Sequence, residues 1–184
     1  INVHIPIINQ LIKLNDESRI LDFSVNTKSN GRFEIDDIQY TEKEKKKLYK
    51  EVIANWAIFT YLTDTIHFSQ GIHTPFTYAT EDPFGIKEWR NSQVINLITS
   101  EKQQGNCFAL AAFYKILANR IQSNATLCTA PQHIYIQHKD KNGDTYNVEL
   151  ATAGHPSDAD IQVLTYSTEE AVTNGIALRS HDTK

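Results

Sequence analysis

A stripe of apolar positions, Leu48, Val52, Trp56, Phe59 and Leu62, recurs at helical spacing among polar residues. Thr41 followed by Glu44 has the form of a capping box, in which hydroxyl and carboxylate each satisfy a free backbone N–H. Together they predict a long helix over 42–64 whose stripe, Trp56 included, faces a core. Upstream the pattern is broken: Ile5 to Leu14 and Ile20 to Val25 read as short elements, and Asn26 to Arg32 as a polar loop. Residues 67–87 carry His67-Phe68, Pro75-Phe76-Thr77-Tyr78 and Asp82-Pro83-Phe84-Gly85, and read as a long connection with little regular structure. Val94, Ile95, Leu97 and Ile98 predict a short helix over 93–100.

Gly105-Asn106 stops this pattern, and an Ala- and Leu-rich helix follows from Cys107 to residue 121. Its core face is Leu110, Phe113, Tyr114, Leu117 and Ile121. Three strands are expected next, at Thr126 to Thr129, His133 to Lys139 and Thr145 to Ala151. Ser167 with Glu170 suggests a second capping box, for a helix over 168–174 that Gly175 would end. Helices first and a strand meander after them define an α+β class, with helices packed on an antiparallel sheet.

The chain has 184 residues, 40% of them hydrophobic, which suits one domain with a real core. Its net charge of −4 and the absence of a basic stripe interleaved with aromatics exclude a nucleic-acid partner. The lysines between Lys43 and Lys50 are interrupted and flanked by Glu42, Glu44 and Glu51, as on a solvated helix face. No run approaches the roughly 18 apolar residues of a membrane span. Two cysteines are too few for a disulfide scaffold, and no glycine loop for phosphates is present. No cofactor is expected. With no methionine at all, the sequence reads as a trimmed segment. Removal of an export signal, and hence an extracytoplasmic location, is the expectation. Asn124-Ala125-Thr126 matches a glycosylation sequon, whose use depends on the host.

The candidate chemistry is a thiol, an imidazole and a carboxylate in chain order. Cys107 stands at a helix start, where backbone N–H groups stabilise negative charge. His133 follows 26 residues later at the head of a strand, and Glu149 another 16 residues on. In these roles Cys107 attacks an acyl carbon, His133 holds the proton and returns it to the leaving group, and Glu149 orients the imidazole. The Cys107 N–H is one oxyanion donor, and Gln103, Gln104 or Asn106 is close enough in sequence to supply a second.

The geometry depends on the turn at Lys141-Asn142-Gly143. A two-residue Asn142-Gly143 turn pairs 141 with 144 and puts His133 and Glu149 on opposite faces. A three-residue loop with Gly143 left-handed pairs 140 with 144, and the two side chains become diagonal neighbours on one face. Other readings compete. A cysteine at a helix start is ordinarily a small core residue, and Cys128 in its apolar strand fits that description. Cys107, Cys128, His133, His138 and His155 lack zinc-ligand spacing, so no metal is expected. His138 has the opposite parity to His133. A Cys107–Cys128 disulfide would silence the nucleophile.

Gly105-Asn106-Cys107 opening a helix, His133 opening a strand, and Tyr146-Asn147-Val148-Glu149 resemble the core of the transglutaminase-like superfamily. Asp82-Pro83-Phe84-Gly85, Phe113-Tyr114-Lys115-Ile116-Leu117-Ala118, Ala130-Pro131-Gln132-His133-Ile134-Tyr135-Ile136 and Asn147-Val148-Glu149-Leu150 resemble a branch of it found in Bacteroidetes. The resemblance spans residues 80–178. It implies a papain-like fold in a single domain over 1–184, with 1–75 as an N-terminal helical part. It also implies Cys107 as nucleophile, His133 as base and Glu149 at the acid position, where the superfamily usually has Asp. Asn147, two residues away, offers a Cys-His-Asn alternative. The implied function is acyl transfer through a Cys107 thioester, with hydrolysis of a peptide, protein or other amide substrate expected and transfer to an amine as the variant. The alternative is an inactive domain that serves as a binding or scaffold module.

Overall fold

Apolar residues spaced by three and four give α1 (His4–Ser18) and α2 (Glu42–Thr63) one buried face each. Ile8 and Leu11 of the first meet Ala57, Ile58, Tyr61 and Leu62 of the second in one core. The structure is a computed structural model that describes residues 2–18, 42–69, 71–139 and 144–181. The segments expected over Ile20 to Val25 and Asn26 to Arg32, the Thr41 cap, and the Lys141-Asn142-Gly143 turn lie outside the described residues.

The stretch over 67–87, expected to be a long connection with little regular structure, holds three short strands. β1 (Ile66–Phe68) and β2 (Gly71–His73) form an antiparallel pair. β3 (Thr77–Tyr78) is isolated from them by Pro75 and pairs elsewhere. A 3-10 turn (Trp89–Ser92) leads into α3 (Val94–Thr99), whose Leu97 is buried. The chain then enters β4 (Gln104–Gly105), which lies parallel to β3 with Tyr78 opposite Gly105. Gly105 permits this convergence: a Cβ there would lie 2.9 Å from Ala109 Cβ and 3.2 Å from the Asn91 carbonyl oxygen.

Next comes α4 (Cys107–Ile121), the central helix. Leu110, Phe113, Tyr114 and Leu117 are fully buried, while Ile121, at its last turn, is half-buried. The sheet follows as β5 (Thr126–Ala130), β6 (His133–Lys139) and β7 (Thr145–Val148). Beyond it lie α5 (Asp158–Leu164), α6 (Glu169–Thr173) and β8 (Arg179–His181). The strand order is β7-β6-β5-β8, antiparallel throughout. Leu127, Ile134, Ile136 and Val148 face the helical core, and Cys128 and Tyr135 face Ile161 of α5 in a smaller second cluster. The α+β architecture is therefore present, and the N-terminal helices share their core with α4 and the sheet.

Three local expectations are corrected. The third strand ends at Val148 rather than Ala151, because Glu149 exchanges two 2.9 Å backbone hydrogen bonds with Gly154 and turns the chain back. The last helix is capped by Thr168, whose side chain accepts the Ala171 N–H; the Ser167 hydroxyl is instead engaged with that of Thr165. The helix α5 was not expected, although Ser157 and Asp160 form a full capping box at its start. Among the described residues, no helix is long and apolar enough to cross a membrane.

His138 points away from His133, as its parity requires, and is fully buried. Its Nδ1 donates to Asn124 Oδ1 at 2.9 Å. The Tyr114 hydroxyl lies 2.9 Å from its Nε2 and 3.2 Å from the Asn55 carbonyl oxygen. Burial, then the charges of His155 and Lys115, push His138 down to about 3. The unfolded chain takes up a proton near pH 6.5 that the folded one refuses. Stability therefore falls as pH drops from 6.5 toward 3, and denaturant titrations of His138→Gln will show a shallower acid slope than the wild type.

Candidate active site

The residue before the thiol sets the start of α4. Asn106 has extended backbone, its Oδ1 accepts the Ala109 N–H at 3.1 Å, and its own N–H donates to the Asn91 carbonyl at 2.8 Å. Its Nδ2 donates to Ser92 Oγ at 2.7 Å. With Ala109 N–H and Leu110 N–H both taken by Asn106, the first-turn donors left without an intrahelical acceptor are those of Cys107 and Phe108. Cys107 is the first helical residue and half-buried; neither it nor the fully buried Cys128 is in a disulfide.

The hairpin has the register that brings the other two groups together. Lys139 pairs with Thr145, His138 with Tyr146 and Ile136 with Val148, a register that by extension sets 135 opposite 149. His133 and Glu149 thus point to one face, and His133 Nε2 is hydrogen-bonded to Glu149 Oε2. The other ring nitrogen, Nδ1, makes no contact with Glu149, and Cys107 is near enough to act on the proton affinity of the ring. Tyr135 stacks beside the imidazole, with the rings 11° from parallel and 6.1 Å between centroids.

Glu149 is 2% exposed. Its Oε1 accepts the Ala151 N–H at 2.8 Å, so the carboxylate closes its own loop on one side and holds the imidazole on the other. For His133, burial lowers the affinity for a proton, but the hydrogen bonds to Cys107 and Glu149 and their negative charge outweigh it, pushing the imidazole up to about 9. At neutral pH the ring is therefore held protonated against the Glu149 carboxylate, with Cys107 nearby. Such a set can deliver a proton to a leaving group once sulfur has attacked.

The remaining expectations sort by their hydrogen bonds. Asn147 is not available to His133: its Oδ1 accepts from Gln137 Nε2 at 3.0 Å, and its Nδ2 donates to Asp158 at 2.7 Å and to the Pro156 carbonyl at 3.2 Å. The Cys-His-Asn alternative is thereby removed. Of the three suggested oxyanion donors, Asn106 caps α4 through Oδ1 and donates to Ser92 through Nδ2, and Gln103 Oε1 accepts from Thr74 at 3.0 Å while its Nε2 keeps its donors. Gln104 Nε2 donates to the Tyr78 carbonyl at 3.2 Å and retains a second N–H. Cys128 belongs to the sheet core, and His155 packs on Phe59 with ring centroids 4.6 Å apart. Among the described residues, no group of three or more His, Cys, Asp or Glu could hold a metal ion.

Tyr78 was missed. Its phenol is pushed up by burial and then by the charges of Cys107 and Glu149, so it lies within electrostatic reach of both. The parallel pairing of Tyr78 with Gly105, two residues before the thiol, brings it there. Its sequence surroundings, an aromatic-rich connection, carry no signal of that pairing. No protein-family model, curated protein or solved structure matches the chain.

Proposed function

We propose that the protein is a thiol-dependent acyl-transfer enzyme of transglutaminase-like type that hydrolyses a peptide or other amide bond. The observation that carries the reading is the imidazole of His133 held between Cys107 and Glu149. Cys107 passes its proton to His133 and Sγ bonds to the acyl carbon; the C–N bond breaks and the His133 imidazolium gives that proton to the departing amine. Water then attacks the thioester as the now neutral His133 takes its proton, the C–S bond breaks, and His133 returns the proton to the departing sulfur. The Cys107 N–H supplies one oxyanion donor and the Tyr78 hydroxyl or the free N–H of Gln104 the second. Two features that would have favoured an inactive scaffold, a disulfide at Cys107 or a thiol with no imidazole nearby, do not occur.

The test uses p-nitrophenyl acetate as a generic acyl donor. A burst of p-nitrophenolate with an acetyl group on Cys107 by mass spectrometry is expected, and Cys107→Ala abolishes both. No acyl adduct on Cys107 at saturating ester sinks the proposal. Within the same assay, Tyr78→Phe lowers the acylation rate by about 10- to 100-fold, the scale of one oxyanion donor. An unchanged rate removes Tyr78 as the second donor.

A further inference from the structure

Four large apolar side chains are exposed on the two segments that meet at Asn106, the residue before Cys107. Phe84 is 55% exposed, Ile86 83%, Trp89 63% and Phe108 50%. Single exposed apolar residues are ordinary, but such a concentration marks a contact surface. The loop that carries three of them is firmly built. The buried Asp82 carboxylate accepts the N–H groups of Ile86 at 2.9 Å, Lys87 at 3.2 Å and Glu88 at 2.7 Å, and Asn91 Nδ2 at 3.4 Å. Gly85 is left-handed, at φ +65°, and a Cβ there would lie 2.6 Å from Ser92 Oγ. The same loop ends on the residue before the thiol, through Asn106 N–H to the Asn91 carbonyl and Asn106 Nδ2 to Ser92. Phe108 follows the thiol directly.

We propose that Phe84, Ile86, Trp89 and Phe108 form the substrate-recognition rim of the Cys107 site and select a polypeptide bearing apolar side chains within a residue or two of the attacked amide. This rests on the acyl-transfer reading above. A rigid loop that spends a buried carboxylate on its own backbone, yet holds its apolar tips in water, is preorganised for a ligand. The tips alternate with polar residues of both signs, Lys87, Glu88 and Arg90, which suits a chain with an apolar side chain set on a polar backbone.

Two N-acetyl-dipeptide vinyl sulfones, Leu-Phe and Ser-Asn, test this on the whole protein, with iodoacetamide as the small control. The wild type is expected to react at Cys107 about tenfold faster with Leu-Phe than with Ser-Asn. In Trp89→Ser and Phe84→Ser, both surface changes, that ratio falls to about one third or less of its wild-type value, and further in the double variant. A wild-type ratio near one, with rapid iodoacetamide labelling, overturns the rim while leaving the acyl-transfer reading intact. Slow iodoacetamide labelling overturns that reading and the rim with it. Sedimentation showing a wild-type dimer that Trp89→Ser converts to monomer assigns the rim to a second copy of the chain and also overturns the proposal.

Discussion

His133→Gln lowers the rate at which p-nitrophenyl acetate acylates Cys107 at pH 7 by about 10²–10⁴, the usual scale of a positioned acid–base group. Glutamine is chosen over alanine because it keeps an N–H for the buried Glu149 carboxylate. Without a donor there, the carboxylate would retain only the Ala151 N–H, at 2.8 Å, and an uncompensated buried charge costs about 3–5 kcal/mol. Iodoacetamide labelling of Cys107 slows in parallel, since the group that takes the thiol proton is gone. Cys128, fully buried, does not contribute to native labelling, so one thiol is counted by mass spectrometry. If His133→Gln acylates at the wild-type rate, the imidazole is a neighbour of the thiol and not its partner.

The hairpin shows why part of this site was legible in advance. Strand period is two, so the choice between turns of two and three residues decided whether His133 and Glu149 shared a face. The observed register, Lys139 with Thr145, is the one the site needs. The thiol at a helix start was legible for a similar reason, because a Gly-Asn stop followed by apolar periodicity is a local signal. Tyr78 was not legible: a two-residue strand in parallel with Gln104–Gly105 is a tertiary choice with no local pattern. The early end of β7 was hidden too. Residues 145–151 alternate plausibly, but the Glu149 carboxylate binds the Ala151 N–H and folds the chain back toward Gly154. The Ser157–Asp160 capping box of α5 was a readable signal that went unread. At α6 the spacing of Ser167 and Glu170 pointed one residue early, because the Ser167 hydroxyl is taken by Thr165.

The loss of Asn147 as a candidate illustrates how satisfied hydrogen bonds choose between chemically similar groups. Asn147 and Glu149 have the same parity and lie two residues apart. Asn147 is tied on both of its ends to Gln137, Asp158 and Pro156, and anchors the segment leading into α5. Glu149 has one oxygen on its own loop and the other on His133. The length of the Glu149 side chain is accommodated by this arrangement, since its second oxygen is held by the backbone.

Glu149→Gln separates the two negative groups that hold the His133 proton. In the wild type, ring NMR is expected to titrate His133 near pH 9. Glu149→Gln keeps the shape and removes a charge, so the midpoint drops but stays lifted by Cys107. Adding Cys107→Ala leaves burial to act alone, and the midpoint falls to about 6.5 or below. The same proton appears in stability. Because the folded pKa is raised, the stabilisation is fully present below pH 6.5 and is lost as pH rises through about 9. A shift of this size is worth at most about 3 kcal/mol. Denaturant titrations should therefore find the wild type losing stability between pH 6.5 and 9.5, and the double variant losing much less over the same range. A wild-type midpoint near 6.5, or one that stays near 9 in the double variant, would falsify the assignment of Cys107 and Glu149 as the groups that hold the proton. In the first case the imidazole is neutral at pH 7 and cannot serve as the waiting acid; in the second, some other group carries the charge.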